Sequence, residues 1–207
     1  WCNPWGHQFD EFGQSFVTDG AGFKGVSWAV PGAMYFTYAK MRREMQSVSP
    51  GNYPKFASLE IIRSQHFPAD WQGRMVTCDF RANRVTSFSI TEQGAAYITK
   101  QETDICRTSN NTFRPIDVKL GPDGALYAGG DFTTSGGQTV GTIAKWDGTS
   151  WSSLGDRIDD TVTDITFDRT GRLLAVGTFS ATANGAPLVG LARWDGRSEE
   201  HTSELQS

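Results

Sequence analysis

Asp117-Val-Lys-Leu-Gly-Pro-Asp-Gly124-Ala-Leu-Tyr-Ala-Gly-Gly-Asp-Phe132 and Asp164-Ile-Thr-Phe-Asp-Arg-Thr-Gly171-Arg-Leu-Leu-Ala-Val-Gly-Thr-Phe179 are one segment written twice. Aspartate, turn glycine, leucine and phenylalanine recur at an offset of 47 residues. Ile143-Ala-Lys-Trp-Asp-Gly148 then returns as Leu191-Ala-Arg-Trp-Asp-Gly196 at an offset of 48. Phe9-Asp-Glu-Phe-Gly13-Gln-Ser-Phe-Val-Thr-Asp19 and Trp71-Gln-Gly73-Arg-Met-Val-Thr-Cys-Asp-Phe80 repeat the same grammar more faintly. The four glycines stand 60, 51 and 47 residues apart. A period of roughly 40–50 residues carrying a hairpin is that of a propeller blade.

Each turn glycine tolerates φ > 0 and closes two strands into a hairpin. A lone blade cannot bury both of its faces, so blades must stack around an axis. The sequence therefore predicts an all-β chain: an incomplete β-propeller of about four blades of four antiparallel strands. A truncated first blade covers residues 5–28 and a second covers 57–102. The third and fourth cover 114–154 and 161–195, the fourth also incomplete. Residues 30–54 form an insertion with a short amphipathic helix expected near 34–46.

Composition agrees. The 207 residues are 38% hydrophobic and 12% aromatic, with 23 glycines and seven tryptophans, which suits short strands and tight turns. A net charge of −4 and the lack of a basic cluster argue against nucleic acid. No apolar run is long enough to cross a bilayer as a helix. Cys2, Cys78 and Cys106 show no CxxC or CxxCH spacing; idle thiols or a single disulfide are the alternatives. The chain begins at Trp1, so its natural N-terminus is expected to lie upstream.

Residues 1–127 carry a resemblance. Asn3-Pro-Trp-Gly-His-Gln-Phe-Asp-Glu-Phe-Gly13, Leu59-Glu-Ile-Ile-Arg-Ser-Gln-His-Phe-Pro-Ala-Asp-Trp-Gln-Gly73, Met75-Val-Thr-Cys-Asp-Phe-Arg-Ala-Asn-Arg-Val85 and Thr112-Phe-Arg-Pro-Ile-Asp117 resemble the propeller of planctomycete-type haem-binding membrane-bound dehydrogenases. That resemblance implies a sugar- or sorbosone-dehydrogenase-like propeller outside the cytoplasm, periplasmic or extracellular. It implies a sugar or aldehyde substrate and, in the parent family, pyrroloquinoline quinone, Ca²⁺ or haem c. The family's haem c sits in a C-terminal cytochrome c domain marked by CxxCH. No such motif stands in this sequence, so no cofactor is encoded here and an inactive fragment is expected. Residues 128–196 instead resemble secreted Trp-Asp-Gly repeat propellers, which are mostly non-catalytic. The change falls within Gly121-Pro-Asp-Gly-Ala-Leu-Tyr127, and a chimera joined there or a natural propeller with divergent blades are the alternatives. Residues 197–207 resemble a sequencing adapter translated in frame and are expected to stay uncoupled from the fold.

Candidate site residues follow from blade position. His7, on the inner strand of the first blade, is a candidate general base for oxidation of a hydroxyl, or a structural residue beside Trp5. Arg114 opens an inner strand and is a candidate for an anionic ligand, with Arg81, Asn83 and Arg84 in the loop after the second strand of the second blade. Asp19 and Asp79 hold matching positions and are candidate ligands for a cation; turn and ion-pair roles are the alternative. Two further functions compete with the dehydrogenase reading: a non-catalytic propeller binding a glycan or protein, and an assembly artefact with no native role.

Overall fold

A computed structural model of the chain describes residues 3–21, 25–35, 45–51, 53, 55–109, 111–135, 138–155, 157–182, 185, 187–194 and 199–200. Its first blade orders β1 (Pro4–Phe9), β2 (Ser15–Asp19), β3 (Val26–Ala29) and β4 (Gln46–Ser47) into one antiparallel sheet. The second holds β5 (Phe56–Ile61), β6 (Met75–Asp79), β7 (Arg84–Gln93) and β8 (Ala96–Gln101), with β9 (Cys106–Arg107) also pairing with β7. The third comprises β10 (Arg114–Leu120), β11 (Leu126–Asp131), β14 (Ile143–Trp146) and β15 (Trp151–Ser153). A side hairpin, β12 (Thr134–Ser135) with β13 (Gln138–Thr139), leaves this blade between β11 and β14. The fourth is β16 (Val162–Phe167), β17 (Leu173–Gly177), β18 (Leu191–Trp194) and β19 (Glu199–Glu200).

The blades stack in chain order through their inner strands, β1 against β5, β5 against β10 and β10 against β16. No strand pairing joins the fourth blade to the first among the described residues. Three apolar clusters fill the three junctions. Phe16, Phe56, Leu59 and Phe88 lie between the first two blades. Val76, Val85, Val118, Leu126 and Trp146 join the second to the third. Tyr127, Ile143, Ile165 and Leu173 join the third to the fourth. Alternating faces of each strand feed neighbouring clusters, which is why the runs read as nearly continuous apolar segments.

The turn glycines fall where the repeat places them. Gly13, Gly73, Gly124 and Gly171 have φ of 76°, 76°, 82° and 82°, and each lies between the first and second strands of its blade. They share one end of the stack. Arg63 of the second turn reaches the Phe9 carbonyl of the first, a Cβ on Gly124 would meet Ser64, and one on Gly171 would meet Pro122. Gly13 faces open space, so Gly13→Ala meets only the left-handed backbone penalty. Urea unfolding should show it about 1–2 kcal/mol less stable; no change would mean that the turn relaxes to another type.

Both end blades are four-stranded, which corrects the expectation that they are truncated. The first takes β4 from the far end of the insertion, and the fourth takes β19 from the tail expected to be uncoupled. An outermost strand is held by backbone hydrogen bonds on one side, so two residues without an apolar face suffice. The expected helix is also corrected at its margins: Met34, Tyr35 and Met45 are irregular and Gln46 is in β4. Its middle, 36–44, and the tail at 197–198 and 201–207 lie outside the described residues. Cys78 is a buried free thiol and Cys106 is buried; Cys2 lies outside the described residues.

Candidate functional site

At the end opposite the glycine turns, Lys55, Phe80, Arg81, Asn83, Asn111 and Arg114 line a cavity of about 380 Å³. Backbone geometry gathers them. Lys55 immediately precedes β5, its carbonyl accepting the Phe80 N–H at 3.1 Å. Phe80, Arg81 and Asn83 form the tight β6–β7 connection, closed by Ala82 N–H donating to the Asp79 carbonyl and by Asn83 at φ 52°. Asparagine tolerates that left-handed conformation better than most residues. Arg114 is the first residue of β10, opposite Asp131.

Cations dominate the cavity. Lys55 Nζ lies 4.8 Å from the Phe80 ring centre and 5.0 Å from that of Trp5, and the Arg114 guanidinium lies 5.4 Å from Phe80. Arg114 Nε donates to the Asn111 carbonyl at 3.2 Å, and Asn83 Nδ2 to Asn111 Oδ1 at 3.5 Å. Among the described residues no carboxylate pairs with Lys55, Arg81 or Arg114. Two unneutralised cations over an aromatic ring, with Arg81 also lining the cavity, form a site suited to an anion.

The structure thus brings Arg81, Asn83 and Arg114 together and adds Lys55, Phe80 and Asn111. Arg84 goes elsewhere: its Nη2 and Nε bind Asp79 Oδ2 at 2.9 and 3.2 Å, and its Nη1 reaches Asp104 at 3.4 Å. Burial raises the Asp79 pKa and Arg84 opposes that shift. Asp19 Oδ1 accepts the N–H groups of Asn3 and Ala21 at 3.2 and 2.9 Å. Both carboxylates of the metal reading therefore serve loop and ion-pair bonds, and no group of three or more His, Cys, Asp or Glu able to hold a metal exists among the described residues. His7 Nε2 hydrogen-bonds Ser15 Oγ at 2.8 Å and its ring meets Phe9 edge-on at 4.6 Å. It stands six residues before its turn glycine, as Val118 and Ile165 do. Those two point into junctions between blades, so the His7 position is a blade face, outside the cationic cavity.

The inner strands are clasped by two acids, half-buried Glu60 and buried Asp117. Glu60 accepts Leu120 N–H of the third blade at 3.2 Å and Gln8 Nε2 of the first at 3.2 Å. Asp117 accepts Ser58 Oγ–H from the second blade and, at 3.1 Å, Ile165 N–H from the fourth. Burial, with a hydrogen bond to Asp164, pushes the Asp117 pKa up to about 6. These groups were not legible as a set, because each pairs across blades at a separation of 48 to 60 residues.

Four sheets in this arrangement define a β-propeller. Its family is shown directly: residues 22–130 match the family model described as Domain of unknown function (DUF7133), and the chain belongs to that family. The match ends one residue before the end of β11, while the third blade continues unbroken through β14 and β15. Among solved structures, the chain is similar to the PQQ domain of pyranose dehydrogenase from Coprinopsis cinerea, at 14% identity and TM-score 0.54 over 97% of this chain and 48% of that one. It is also similar to the PQQ-bound aldose sugar dehydrogenase from Streptomyces coelicolor, at 16% identity and TM-score 0.53 over 85% and 56%. At such identities the likeness is one of fold, and the chain spans about half the length of these two structures. No curated protein matches the sequence. No helix among the described residues is long and apolar enough to cross a membrane.

Proposed function

We propose that this chain is part of an extracytoplasmic, dehydrogenase-like propeller, and that the cavity between Lys55, Arg81 and Arg114 holds a flat carboxylated quinone such as pyrroloquinoline quinone. The observation that carries this reading is the trio of cations without carboxylate partners that line the cavity, two of them over Phe80. The volume falls within the range of small-molecule sites, about 300–1,000 Å³. Arg81 and Arg114 would pair with carboxylates of the ligand, Lys55 would add charge, and Asn83 and Asn111 would offer amide hydrogen bonds. A bound quinone of this class accepts hydride from the carbon of a substrate hydroxyl. That reaction also needs a base for the hydroxyl proton, and among the described residues no Asp, Glu or His lines the cavity. The proposal is therefore of binding without turnover by this chain alone.

Calorimetric titration with pyrroloquinoline quinone tests it. Saturable one-to-one binding is expected, weakened about tenfold (1.4 kcal/mol) by Arg114→Ala and strongly by salt. Dye-linked oxidation of glucose with the quinone added should stay at background. Binding that ignores Arg114→Ala and Lys55→Ala would overturn the site; turnover by the purified chain would overturn the inactivity.

A further inference from the structure

Trp146 and Trp194 occupy one position in two successive blades. Each ends the third strand of its sheet and stands opposite the leucine two residues after the turn glycine, Leu126 or Leu173. Their surroundings differ because the turns of the preceding blades differ in length. The second blade has a long connection, residues 62–74, from which Phe67 and Trp71 fold over Trp146 at ring-centre distances of 5.3 and 5.1 Å. Trp146 is left 6% exposed. The third blade turns tightly at Gly121–Gly124, with Gly124 N–H bonded to the Gly121 carbonyl at 2.9 Å, and has no residues to spare for a cover.

A slot of about 230 Å³ remains there, between Pro122, Tyr127, Phe167 and Trp194, with Asp123 and Lys145 also lining it. Asp123 is tied to Lys145 Nζ at 2.6 Å and to Tyr127 OH at 2.8 Å. Trp194 stays half-buried, and its Nε1 is buried without a hydrogen-bond partner among the described residues. Offset and edge-on ring contacts add to the gain from burying apolar area.

We propose that this slot docks an aromatic side chain presented by an exposed segment of another polypeptide. The chain itself shows the occupant: the same tryptophan one blade earlier is covered by Phe67 and Trp71 of a Phe67-Pro-Ala-Asp-Trp71 loop. A partner segment of like chemistry supplies the rings that the short turn omits. This site lies at the glycine-turn end and is independent of the cationic cavity.

The probe is a fluorescently labelled peptide, His-Phe-Pro-Ala-Asp-Trp-Gln-Gly, titrated into the full chain by polarisation and by ¹⁵N NMR of the tryptophan indoles. Trp194→Phe and Trp146→Phe assign the two resonances. Saturable binding that moves the Trp194 indole and leaves that of Trp146 in place is expected. A peptide with both aromatics changed to alanine should bind at least tenfold more weakly, as should the intact peptide to Trp194→Ala. If Trp194→Ala fails to fold, the indole shifts in the unaltered chain still decide. No saturable binding, shifts elsewhere than Trp194, or a Trp194 shift produced by a maltooligosaccharide but not by the peptide would each overturn the proposal.

Discussion

Replacing Trp146 by alanine should lower the unfolding free energy by about 3–5 kcal/mol, the usual cost of deleting a buried tryptophan. Its ring packs against Phe67, Trp71 and Trp151 and joins the cluster between the second and third blades. Removing it opens a cavity that the opposed rings cannot close without moving the β5–β6 connection. Trp194→Ala, at the corresponding but half-covered position, should cost less than half as much. Urea unfolding followed by far-ultraviolet circular dichroism measures both. Equal costs would mean that the long loop adds no packing, and the blade comparison would fail with it.

The second large effect is one of pH. The Asp117 carboxyl has its folded-state pKa raised from 3.8 to about 6, through burial first and the hydrogen bond with Asp164 second, opposed by Lys119 Nζ at 3.4 Å. A raised carboxyl pKa means that the folded chain holds a proton which the unfolded chain has released. Its contribution is fully present below about pH 3.8 and is lost as pH rises through about 6, to a total of about 3 kcal/mol. Asp117→Asn keeps a carbonyl for Ile165 N–H and removes the titration. Unfolding free energies across pH 4 to 7 should therefore slope downward in the unaltered chain more steeply than in Asp117→Asn. Parallel slopes would assign the proton elsewhere.

Much of the fold is legible in the sequence. Gly13, Gly73, Gly124 and Gly171 all take a left-handed backbone, and their spacing gives the blade number. What escaped were elements with little side-chain signature. The two-residue strands Gln46–Ser47 and Glu199–Glu200 are held by their backbone and carry no periodicity. A register detail also escaped: Asp19 and Asp79 stand six residues after their turn glycines, whereas Asp131 and Thr178 stand seven after theirs. Asp19, Asp79 and Asp131 nonetheless all end their second strands, each opposite the first residue of its inner strand, and Thr178 directly follows its own.

The site was half legible. Arg81, Asn83 and Arg114 follow from blade position, because loops at one end of stacked sheets converge. Lys55 was missed, although it precedes an inner strand as Asn111 and Arg114 attend the next; the parallel was the available signal. Blade position makes Arg84 a candidate ligand-binding residue, but Asp79, five residues earlier, and Asp104 claim its guanidinium. A lone sequence shows an arginine and a carboxylate near one another without showing that they meet across one strand connection.

The acid clasps have a direction. Glu60 and Asp117 each accept a backbone amide from the blade that follows, so in these backbone bonds the acceptor stands on the earlier side of the junction and the donor on the later side; the side-chain donors Gln8 and Ser58 come from the blade before. A tandem copy of such a blade arrives carrying both halves of the joint, ready to fit between its neighbours without leaving a buried amide orphaned. Gene duplication can lengthen an arc of this kind one blade at a time, and unequal crossing-over can shorten it, with the joints conserved at each step.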